Sequence, residues 1–136
     1  MSDLPEFRNE PWADFSRAEP QRAMHEALAQ VRGEFGKEYD LFIDGRAVQT
    51  AGKLESRNPS RPSEVVGLHQ CGTPELAREA VEAAYAYFPE WSRTPAEARV
   101  RMLLRAAEIL RARKMEFNAW LVYEAGKTWI EAEADV

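Results

Sequence analysis

Cysteine is almost missing from this chain of 136 residues. Its single representative, Cys71, excludes an internal disulfide framework and the cysteine-rich structural zinc modules. Histidine is equally scarce, and His25 and His69 are too few and too scattered for a metal site. No apolar run approaches the roughly 18 residues of a transmembrane helix, so no membrane partner is expected. The first ten residues carry Asp3, Glu6 and Glu10 and lack the apolar stretch of a secretory signal, which makes the cytoplasm the expected compartment. A basic excess is missing too. With 18 Lys and Arg against 23 Asp and Glu the net charge is −5, and nothing electrostatic favours a nucleic-acid partner. The basic residues from Arg99 to Lys114 are interleaved with acids and apolar groups, as on a solvated helix face.

Large aliphatic side chains are also in short supply. Leu, Ile, Val and Phe make up just under one fifth of the residues, near the limit at which a chain stops folding. What replaces them is alanine and a set of aromatics, many at helical spacing. The length allows one domain at most. The composition describes an ordered, Ala-rich helical piece with a thin core, built to lean on something else.

Helix signals dominate. Ser16 and Glu19 have the spacing of a capping box, Pro20 falls in the first turn, and Met24, Leu28, Val31 and Phe35 recur at intervals of four, three and four. A helix is predicted over about 17–35, ended by Gly36. Leu41 to Val48 reads as two short strands around Asp44-Gly45, a pair suited to the positive φ angles of a type I′ turn. Residues 50–63 hold Gly52, Pro59 and Pro62 and read as a loop, followed by a short strand over 64–69.

Thr73-Pro74 resembles an N-cap with proline at the first helical position, and the helix behind it is expected to stop at Pro89. Thr94-Pro95-Ala96-Glu97 combines an N-cap, proline and a capping-box glutamate, and predicts one long helix to about Ala125, broken by Gly126. Thr128 and Glu131 form another capping-box pair, with Glu133 and Asp135 placed to complement the helix dipole. A helix that starts so well barely two turns before Val136 predicts that the natural polypeptide continues beyond it.

No glycine-rich nucleotide loop, Walker loop or His-Glu-x-x-His segment is present. Cys71 precedes a helix start, where a thiol pKa can fall, but neither histidine is marked as its base, and a structural or incidental cysteine is the favoured reading. Trp12, Trp91, Trp120 and Trp129 suit packing better than cofactor binding. No catalytic and no cofactor-binding residue can be named from composition and spacing.

Two stretches carry a resemblance. Glu124-Ala125-Gly126-Lys127, followed by Trp129-Ile130-Glu131-Ala132 and Ala134-Asp135-Val136, is similar to the Glu-x-Gly-Lys … Glu-Ala … Asp-Val segment of the aldehyde dehydrogenase superfamily. The hairpin, the Asn58-Pro59-Ser60 turn, the strand after it and the helices bearing Trp91 and Arg99 follow that family's N-terminal order. Phe7-Arg8-Asn9-Glu10-Pro11-Trp12-Ala13-Asp14-Phe15 resembles the opening of the Δ1-pyrroline-5-carboxylate dehydrogenases.

The resemblance implies an α/β fold: the N-terminal part of an aldehyde-dehydrogenase-like cofactor-binding domain, mostly helical here with a β-hairpin, residues 1–136 being a partial segment without the catalytic domain. It implies a longer homo-oligomeric enzyme of proline degradation, with NAD as cofactor and glutamate γ-semialdehyde as its small-molecule aldehyde substrate. It also implies a monovalent cation held by backbone oxygens of Ser56 and Arg57 and by Glu124. The other reading of Glu124 is an acid at a helix C-terminus, paired with a nearby Arg or Lys. His69-Gln70-Cys71 does not match the family's Gly-Gln-x-Cys context, so this stretch alone is expected to be inactive. The alternative is a free-standing helical interaction module without catalytic activity.

Overall fold

The computed structural model describes residues 6–136. In chain order its elements are α1 (Ala18–Arg32), β1 (Lys37–Tyr39), β2 (Leu41–Ile43), β3 (Arg46–Val48), β4 (Lys53–Arg57) and β5 (Val65–Gln70). Four helices follow: α2 (Pro74–Arg93), α3 (Ala96–Ala112), α4 (Lys114–Ala125) and α5 (Trp129–Asp135). They fall into two compact units, one made of the chain up to Val31 together with Pro95–Val136, the other of Arg32–Thr94.

In the first unit Met24 and Val31 of the predicted α1 stripe are buried together with Ala27, and so are Ala119 of α4 and Ala132 of α5. The Tyr123 hydroxyl of α4 donates to the Leu28 carbonyl of α1 at 3.3 Å. The capping box expected at Ser16 is not what starts α1. Asp14 competes for it: the Ser16 hydroxyl and amide both donate to the Asp14 carboxylate, at 2.6 and 3.0 Å, a local Asx turn.

The second unit is organised around β5. The sheet order is β1-β5-β4, with β1 parallel and β4 antiparallel to β5, and Val66 of the central strand is fully buried. Neither outer strand was expected. Lys53-Leu54-Glu55-Ser56-Arg57 is polar because it forms an edge, and only cross-strand bonds make it a strand. Lys53 of β4 and Glu38 of β1 meet at 2.5 Å. β2 and β3 form the predicted hairpin, with Asp44 at φ 52° and Gly45 at φ 71°. It lies against α2, burying Ile43 and leaving Phe42, on the opposite face, 78% exposed.

Four helix boundaries depart from expectation. α1 stops at Arg32, before Gly33 rather than at Gly36, and residues 33–36 form turns that hand the Gly36 N–H to the Val66 carbonyl of β5. Pro89 lies inside α2, which continues to Arg93. Tyr85, whose carbonyl loses its partner there, is 80% exposed, so water can serve in place of the missing N–H. Thr94 is not an N-cap. It ends α2, its hydroxyl donating to the Glu90 carbonyl at 3.2 Å, and proline after it holds it extended. The N-cap position of α3 is Pro95, with no side-chain cap. The long helix expected to reach Ala125 is two helices, broken at Arg113 (φ −112°, ψ 19°). No glycine or proline stands there. The Arg113 guanidinium is bound to Glu116 and lies 5.2 Å over the Phe117 ring, while the next residue, Lys114, reaches Glu133 of α5.

No residue of α2 or α3 is buried. Val81, Tyr85, Tyr87 and Phe88 on one, and Val100, Met102, Leu103 and Leu110 on the other, stand exposed. The thin core anticipated from composition is the observed one.

Candidate functional site

The Glu124-Ala125-Gly126-Lys127 segment forms the corner from α4 to α5. Gly126 takes the left-handed conformation (φ 66°) that ends α4, and its N–H returns to the Leu121 carbonyl. Thr128 then opens α5 with the predicted capping box: its hydroxyl accepts from the Glu131 amide, and its own amide donates to the Glu131 carboxylate at 2.9 Å. The Thr128 bonds hold the Glu131 carboxyl below the usual carboxylate range. Lys127 pairs with Asp135.

Beneath this corner lies a charged cluster that sequence reading missed. Glu133 is 3% exposed. It pairs with Lys114, accepts from Asn118 Nδ2 at 2.6 Å and accepts from the Ala13 backbone N–H at 2.6 Å. Burial pushes its carboxyl up, but these three donors outweigh burial and the net displacement is downward. An ionised group so placed requires such compensation. Sequence reading treated Glu133 only as a dipole-complementing acid. The available signal was Lys114 and Asn118, four residues apart and so on one helix face.

Ser56 and Arg57 lie at the end of β4, where the pairing with β5 slips register. The Arg57 side chain pairs with Glu55 and donates to the Pro62 carbonyl at 2.8 Å. Next to it Asn58 is buried in an Asx turn, its Oδ1 accepting from the Ser60 amide and its Nδ2 donating to Glu64 at 2.9 Å. That bond is the main cause holding the Glu64 carboxyl below the usual range, with Arg32 adding attraction. Glu124 stands in the last turn of α4, which contains no basic residue. Ser56 and Arg57 thus belong to one compact unit and Glu124 to the other.

Cys71 is exposed between β5 and α2, its amide bound to the Gly52 carbonyl. His69 stacks on Tyr39, and His25 meets Trp129 edge-on. Among the described residues no group of three His, Cys, Asp or Glu could hold a metal ion. Nor do the residues present fit a dinucleotide. The left-handed glycines 36, 45 and 126 stand singly in turns, and α2 and α5 open on Thr73-Pro74 and Thr128 rather than on a glycine-rich phosphate cradle.

A model of the aldehyde dehydrogenase family matches residues 47–136. The chain is 43% identical over 132 residues to 1-pyrroline-5-carboxylate dehydrogenase 1 of Halalkalibacterium halodurans, covering 97% of this chain and 26% of that protein. It is 47% identical over 129 residues to the 1-pyrroline-5-carboxylate dehydrogenase of Geobacillus kaustophilus, covering 95% of this chain and 25% of that one. Among solved structures, a variant of the Thermus thermophilus 1-pyrroline-5-carboxylate dehydrogenase matches with a TM-score of 0.95 and 49% identity, over 99% of this chain and 26% of that chain. A Thermus 1-pyrroline-5-carboxylate dehydrogenase with bound NAD matches with a TM-score of 0.94 and 50% identity, over the same shares. The chain therefore spans about a quarter of the length of these relatives.

Proposed function

Because the chain belongs to the aldehyde dehydrogenase family, we propose that it forms part of the cofactor-binding domain of a longer enzyme that oxidises L-glutamate γ-semialdehyde to L-glutamate with NAD+. The semialdehyde equilibrates with its cyclic imine, pyrroline-5-carboxylate. The observation that carries this reading is the likeness to pyrroline-5-carboxylate dehydrogenases along 97% of the chain. The bound NAD of the Thermus relative supports the cofactor. The reactive thiol, the general base and the nucleotide cradle are assigned to the rest of the longer polypeptide. The role of residues 1–136 is scaffolding, and alone they do not turn over aldehyde.

The test uses antibody raised against this chain. It should detect a polypeptide much larger than 15.5 kDa in extracts of the producing cells, and immunodepletion should remove pyrroline-5-carboxylate-dependent NADH formation. A band at 15.5 kDa, with that activity left in the supernatant, would instead support a free-standing interaction module.

The proposal extends to a monovalent cation bound by backbone oxygens of Ser56 and Arg57 and by Glu124. What supports it is the resemblance of Glu124-Ala125-Gly126-Lys127 and of the Asn58-Pro59-Ser60 turn to the family's segments. In the longer enzyme, thermal stability should rise with K+ or Na+ concentration, and Glu124→Ala should abolish that dependence. A Glu124→Ala protein that keeps the full cation response overturns the assignment.

A further inference from the structure

The segment before α1 has no regular structure from residue 6 to residue 14, yet it is tied to three helices of its unit. The Glu10 carboxylate pairs with Arg111 of α3 at 2.9 Å. The Pro11 carbonyl accepts from Lys114 Nζ of α4 at 3.2 Å. The Ala13 amide donates to Glu133 of α5 at 2.6 Å, and Phe15 meets Trp129 of α5 edge-on at 5.4 Å. Glu133 and Trp129 are four residues apart on α5, so the segment grips that helix along one side.

We propose that residues 6–15 are a strap that seats α5, and that Glu133 is its latch. The first turns of α5, Trp129–Asp135, need a surface to rest on. Its capping box fixes where it starts but gives it nothing to pack against. α4 supplies one such surface, through Asn118 and Lys114, and the strap supplies another. The latch is strong because of where it sits: the acceptor is an ionised, buried carboxylate, and a backbone N–H given to it is a charge-assisted bond shielded from water. Lys114 couples the parts, since one ammonium group binds both the Pro11 carbonyl and the latch itself. Asn118 holds the carboxylate from the other side, its own Oδ1 buried without a hydrogen-bond partner. Glu10 and Arg111, both exposed, steady the outer end and contribute little.

Hydrogen exchange on the natural full-length polypeptide tests this, read on peptides covering residues 6–15, α5 and β5. Glu133→Gln keeps the shape but removes the charge and leaves one acceptor oxygen for three donors. It should speed exchange in the strap and in α5 about tenfold or more and leave β5 unchanged. Ala13→Pro removes the N–H donor, and fixes the local backbone angle, while Lys114 and Asn118 stay on Glu133. It should loosen the strap and α5 together, and it decides the matter should Glu133→Gln fail to accumulate. Arg111→Gln should change strap exchange by less than about twofold. Wild-type protection of the strap in Glu133→Gln overturns the proposal. So does equal acceleration in β5, or an α5 that stays protected in Ala13→Pro.

Discussion

Gly126 is the residue on which the α4–α5 corner turns, and its φ of 66° is open to glycine at no steric cost. Gly126→Ala should lower the stability of the longer enzyme by about 1 kcal/mol in chemical denaturation, and Gly126→Asn by less, because asparagine tolerates the left-handed region. Glu64 shows the residue scale in its electrostatic form. Its carboxyl is held below the ordinary 4.5 chiefly by the Asn58 amide. A carboxylate with a lower pKa folded than unfolded contributes stability above the unfolded value, and loses it as pH falls through the folded value. Glu38, Glu116 and Glu131 are displaced the same way. The urea midpoint should therefore hold level down to about pH 5 and fall below the ordinary 4.5, and Asn58→Ala should flatten that fall. An unchanged slope in Asn58→Ala would remove Asn58 from the account.

At the scale of elements, legibility followed how local each cause was. The Asp44-Gly45 turn and the Thr128–Glu131 box appear as read, because each is settled within four residues. Of the predicted α1 stripe, Met24 and Val31 are buried, while Leu28 is half-buried and Phe35 lies beyond the helix end. What could not be read was decided at a distance. β4 exists because β5 lies beside it, and β1 because β5 offers its other edge. The break at Arg113 leads into Lys114, whose charge partner is nineteen residues further on, so no local breaker announces it. Thr94-Pro95-Ala96-Glu97 misled for a related reason: a threonine between two helices can serve either, and it serves the one it follows. The candidate site divides in the same way. The Glu-Ala-Gly-Lys corner was visible as a motif, whereas the Glu133 cluster joins residues 120 positions apart.

For the whole molecule the decisive fact is that no residue of α2 or α3 is fully buried, with Leu103 73% exposed. Bare apolar faces of this extent drive association. The 136-residue chain, purified alone, should sediment as a concentration-dependent mixture of oligomers and bind an apolar dye. Leu103→Lys should shift the mixture toward monomer. A wild-type chain that stays monomeric and dye-free at all concentrations would mean that these faces find cover within the chain itself.

The lone thiol offers a practical consequence. Cys71 is exposed, stands alone among 136 residues and sits in the unit that carries β5. One maleimide fluorophore can therefore be installed on these residues at a known position without altering any of them. Its emission would report on the sheet unit alone, a spectroscopic channel separate from the tryptophans at positions 12, 120 and 129 in the helical unit.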